Sequence, residues 1–89
     1  MTGSGSRLVV ERVDTVSRRP WIFVTGRLEG QSLRIGDTVT IRSAGQSPIS
    51  TIVRSIEIHS APGNTTIAID ASLKPAVQVG TVISCSPAL

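Results

Sequence analysis

Short runs in which apolar and polar residues alternate recur along the whole chain. Residues 37–43 give the cleanest one, with Val39 and Ile41 on one side and Thr38, Thr40 and Arg42 on the other. That is the period of a strand with one buried face. Residues 8–16 carry Leu8, Val10, Val13 and Val16; the phase changes between Val10 and Val13, which predicts a bulge. Residues 21–29 place Ile22 and Val24 on one face and Trp21, Phe23 and Thr25 on the other, so both faces begin apolar. Residues 49–59 form the longest run, and its broken alternation between Val53 and Ile56 predicts a second bulge near Arg54 and Ser55. Residues 65–70, with Ile67 and Ile69 in phase, and residues 77–84 complete the set. Segments rich in Gly, Pro, Ser and Asn punctuate these runs, and 71–75 has room for one helical turn. No window shows sustained helical periodicity. The pattern predicts an all-β domain, a closed barrel or a sandwich.

Eighty-nine residues fit a single domain. It is expected over residues 7–87, behind a flexible Gly/Ser/Thr-rich tail over 1–6. A chain this short buries only about two-thirds of its unfolded surface, so its core is small. Cys85 is the only cysteine, which rules out an internal disulfide. With no signal-peptide pattern and no long apolar run, the expected location is the cytoplasm, with no membrane partner.

Nine basic residues against six acids give a net charge of +3. That permits a nucleic-acid partner without requiring one. Dedicated nucleic-acid binders cluster Lys and Arg among aromatics; here only Arg18 and Arg19 cluster, beside the only tryptophan, Trp21.

Little else carries chemistry. There is no G-x-x-x-x-G-K-[ST] loop and no G-x-S-x-G elbow. One histidine, His59, and one cysteine cannot build a structural zinc site. The expectation is a chain without catalytic residues, cofactor or metal. His59 reads as a surface residue at a strand end, and Cys85 as a small apolar filler.

One ordered set of motifs carries a resemblance. Phe23-Val24-Thr25-Gly26-Arg27-Leu28-Glu29-Gly30 is followed by Ile35-Gly36-Asp37 opening the next strand. Downstream come Val53-Arg54-Ser55-Ile56-Glu57-Ile58-His59, Pro62-Gly63-Asn64 and Val77-Gln78-Val79-Gly80-Thr81-Val82-Ile83. In this order they resemble the second domain of elongation factor Tu and its translational GTPase relatives, over residues 8–87. The resemblance implies a closed, six-stranded antiparallel Greek-key β-barrel that binds partner domains or RNA ends and does no chemistry itself. Val24, Val39, Ile41, Val53, Ile56, Ile67, Ile69 and Val82 would fill its core. The GTPase domain of that family has no counterpart here, so no GTP binding is expected. Thr81 stands where the family's second Gly-Asp pair has its aspartate, and the acid of the tRNA-end pocket is missing after His59.

The candidate binding residues are Arg18, Arg19, Trp21, Arg27 and Glu29. Arginine and tryptophan together suit a protein hot spot, and equally a stacked, phosphate-bearing RNA end. Structural readings stand beside these: Trp21 capping one end of the barrel, and Arg27 paired with Glu29. A protein partner is the first expectation and RNA the alternative.

Overall fold

Strands form within each of the alternating runs. The computed structural model describes residues 5–15, 18–57 and 64–85. Its elements are β1 (Ser6–Thr15), β2 (Trp21–Gly30), β3 (Thr38–Arg42), β4 (Ile49–Ile52), β5 (Ser55–Glu57), β6 (Asn64–Asp70), a 3₁₀ helix (Ala71–Ala76) and β7 (Val82–Cys85). Every strand pairing is antiparallel. The order across the single sheet is β4-β3-β7-β1-β2-β6-β5. Ser6, placed in the tail by sequence, begins β1 and is buried. Val16, Ser17, Ile58, His59 and residues 60–63, where a turn was expected, lie outside the described residues.

The sheet curls around one apolar core. Leu8, Ile22, Ile41, Ile67, Ile69 and Ile83 are each at most 1% exposed. Leu33, in the connection after β2, joins this core. Ala76 and Val77, closing the 3₁₀ helix, are also buried. No buried side-chain nitrogen or oxygen among the described residues lacks a hydrogen-bond partner.

The expected closed, six-stranded barrel is corrected to seven strands in a curled sheet whose ladder is open between β4 and β5. The long run beginning at Ile49 divides at Val53 and Arg54, where its alternation broke. Successive amides of an extended chain point to opposite sides. Val53 N–H accordingly donates to the Asp37 carbonyl at the entry to β3 (2.9 Å), while Arg54 N–H donates to Ala68 of β6 (2.7 Å). The two edges of the sheet are thus consecutive pieces of one chain.

Two expected core positions also change. Val82 faces outward and Ile83 inward, because Ile83 pairs with Leu8 and Ile41. Residues 77–81, expected to start that strand, instead make a turn before it. Ile56 is only half-buried, since β5 is a short edge strand. Val24, Val39, Ile41, Val53, Ile67 and Ile69 are buried as expected.

The bulge in β1 falls between Val10 and Arg12, where Val10 pairs with Gly26 and Arg12 with Thr25. A Cβ on Gly26 would lie 2.0 Å from the Val9 carbonyl oxygen. The motif glycine is where two backbones meet too closely for any side chain.

Residues 34–37 form a turn with Gly36 at φ +95° in its third place. Asp37 N–H donates to the Arg34 carbonyl (3.0 Å), and the Asp37 carboxylate accepts from Arg34 N–H (2.8 Å). That is a type II turn closed by a side chain. Residues 78–81 repeat it, with Thr81 N–H bonded to the Gln78 carbonyl and Thr81 Oγ1 accepting from Gln78 N–H, each at 2.9 Å. Thr81 does with its hydroxyl what Asp37 does with its carboxylate.

Candidate functional site

Arg18, Arg19 and Pro20 lead into β2, and all three are exposed. Pro20 cannot donate to a ladder, but its carbonyl accepts from Ala71 N–H (2.8 Å), tying this turn to the 3₁₀ helix. Trp21, first in β2, points to the outer face opposite Asp70 and is half-buried. The Arg19 guanidinium carbon lies 5.0 Å from the indole centroid, within cation–π range. The edge thus joins a large aromatic surface, one stacked cation and a second exposed cation.

Asp70 anchors the same edge. Its Oδ1 accepts from Ser72 N–H (2.9 Å) at the start of the helix. This backbone bond, with one from the Ser72 side chain, holds the carboxyl below the usual carboxylate range; the Arg54 charge adds a smaller push in the same direction. The folded value therefore lies below the unfolded one. The resulting stabilisation is present above the unfolded-state value and is lost as pH falls through the folded one. Asp70→Asn keeps the Oδ1 acceptor but does not titrate. Thermal melts from neutral to acid pH should show part of the wild-type acid limb missing in that variant; superimposable acid limbs would show that Asp70 contributes nothing to it.

Arg27 and Glu29 share the outer face of β2 with Trp21, and both are exposed. Arg27 lies six positions along the strand from Trp21, about 20 Å at the usual rise. Trp21 and Arg27, both candidate binding residues, therefore lie well apart along one strand. No ion pair joins Arg27 to Glu29 among the described residues.

Cys85 is half-buried. Burial pushes its thiol pKa up, and the nearby Asp37 charge pushes it further. Both effects make it a poor nucleophile at neutral pH. His59 lies outside the described residues. Among the described residues no three His, Cys, Asp or Glu side chains converge on a metal-sized site, and no helix is long and apolar enough to cross a membrane.

An open groove of about 910 Å³ lies at the far end of β2 from Trp21, lined in part by Ser6, Gln31, Arg34, Asp37 and Cys85. Sequence reading gave no sign of it, because three separate segments build it. Two of its polar side chains are engaged internally. Ser6 Oγ donates to the Gln31 carbonyl, and Asp37 closes its own turn.

The geometry defines an all-β domain with an Arg–Trp cluster at the start of β2. Neither a protein-family model nor a curated protein matches the sequence.

Proposed function

We propose that this chain is a non-catalytic binding module whose protein partner docks on the Arg18–Arg19–Trp21 edge. The observation that carries the reading is the Arg19 guanidinium stacked on a half-buried Trp21. A pre-ordered arginine on an indole is the kind of anchor that dominates protein interfaces, and little side-chain freedom remains to be lost on binding. RNA is the second reading, favoured by the same residue types. A base would have to use the other face of the ring or displace Arg19, whereas a protein surface can use the pair as it stands.

The fold reading belongs to this proposal. We take the curled sheet as a Greek-key barrel similar to the second domain of elongation factor Tu, working in the cytoplasm without bound nucleotide. Three features support it: Gly26 at the bulge, the Gly36-Asp37 turn entering β3, and the matching turn ending at Thr81.

Trp21→Ala is expected to weaken partner binding by more than about tenfold, as for a hot-spot residue. Trp21 lies on the outer face, so the variant should melt close to wild type. Capture from lysate with and without ribonuclease, followed by isothermal titration of the captured partner, tests this. Unchanged affinity in a folded variant would remove the Trp21 edge from the function. Loss of capture after ribonuclease, with affinity falling steeply with salt, would transfer the edge to RNA.

A further inference from the structure

The cross-strand register gathers a second surface on the outer face of β3, β7, β1 and β2. Arg42 pairs with Val82, Val82 with Val9, and Val9 with Arg27, forming one row across four strands. Their strand neighbours Ile41, Ile83 and Leu8 are at most 1% exposed, which fixes this row as outward. Arg27 and Arg42 are exposed, while Val9 and Val82 are half-buried between them. Three strand spacings put the two arginines' backbones about 14 Å apart. Arg7 stands in the next row, opposite Glu29 and Ser84, and diagonal to Arg27 at about 7 Å.

The charge on this face is unbalanced. Arg7, Arg27 and Arg42 form no ion pair among the described residues, whereas Arg12 on the same outer face is neutralised by Asp14 at 2.8 Å. Against three cations the patch holds one acid, Glu29. It contains no aromatic ring, so it offers an unpaired base nothing to stack on. An apolar centre rimmed by arginine has the composition of a protein interface.

We propose that this face docks an acidic, extended segment of a protein partner, its carboxylates meeting Arg7, Arg27 and Arg42 and an apolar side chain covering Val9 and Val82. The surface does not depend on the Trp21 edge, which lies about 20 Å away along β2.

The probe is a capped Glu-Ser-Val-Ser-Glu peptide, which when extended presents both carboxylates and the valine on one face, titrated into the ¹⁵N-labelled full chain at low salt. Saturable shifts are expected at the amides of residues 7–9, 27–29, 40–42 and 82–84. The double variant Arg27→Glu, Arg42→Glu should bind at least about tenfold more weakly and should gain affinity for the Lys-Ser-Val-Ser-Lys peptide, a charge-swap rescue that a merely unfolded variant cannot show. Trp21→Ala should leave the titration unchanged, which separates failure here from failure of the Trp21 edge. The proposal is overturned if the acidic peptide gives no saturable shifts at millimolar concentration, or gives them elsewhere. It is overturned equally if an oligouridylate binds these residues more tightly than the peptide does.

Discussion

Ile67→Ala is expected to destabilise the domain by about 2–5 kcal/mol, the largest effect of any single truncation proposed for this chain. Ile67 is 0% exposed. It lies between Val24 on β2 and Ile56 on β5, so its side chain packs where three strands meet the core. Removing its outer carbons deletes the transfer energy of three buried groups and leaves a void that the surrounding strands cannot fill. Against the roughly 5–15 kcal/mol that holds typical domains together, that is a large fraction. Urea unfolding reads it directly. Ile56→Ala is the internal control: Ile56 is half-buried on the edge strand, and its truncation should cost roughly 1 kcal/mol. Equal costs at the two positions would show that β5 packs as deeply as β6, contrary to the burial described above.

Gly26→Ala should rank next, near or above the top of the roughly 1–3 kcal/mol range for overpacked sites. The added carbon would sit 2.0 Å from the Val9 carbonyl oxygen and 3.1 Å from the Val10 Cα. Both are backbone atoms, so no side-chain rotation relieves the overlap. β1 must move off β2 at its bulge, the point where Val10 also bonds through its N–H and carbonyl to Thr81 and Gly80. A fall in Tm of at least about 10 °C is expected, given roughly 4–8 °C per kcal/mol at this chain length. A fall under about 2 °C would mean that the bulge absorbs the methyl group without strain. An open turn position makes the contrast: nothing lies within 4 Å of a Cβ built on Gly45, so substitution there meets only the cost of its positive φ.

The alternation of Val39 with Ile41, and of Ile67 with Ile69, was enough to predict which faces are buried, because an antiparallel strand with one wet face leaves a period-2 trace. The β1 bulge was legible as a phase change between Val10 and Val13. The division of the long run into β4 and β5 was legible only as a break near Arg54; that the halves serve opposite edges depends on tertiary curl, which no local pattern records. Val82 was misassigned because Val82 and Ile83 are both apolar, and only pairing with Leu8 decides which one faces inward. At the candidate site, Arg19 and Trp21 are near neighbours in sequence, so their meeting could be anticipated. Arg27 could be placed on the same face, and its spacing along that strand already sets it about 20 Å away. Arg7 and Arg42 were not recognised at all, since register across four strands brings them near Val9 and Val82.

The split at Val53 and Arg54 has a consequence for how the molecule comes apart. Adjacent amides of one chain fasten β3's entry on one side and β6 on the other. A fluctuation that frees either amide loosens the peptide unit holding its neighbour, so the two margins of the sheet cannot fray independently as ordinary edge strands do. Instead of two separate weak rims, the domain has one clasp, and its release opens the core from both directions at once.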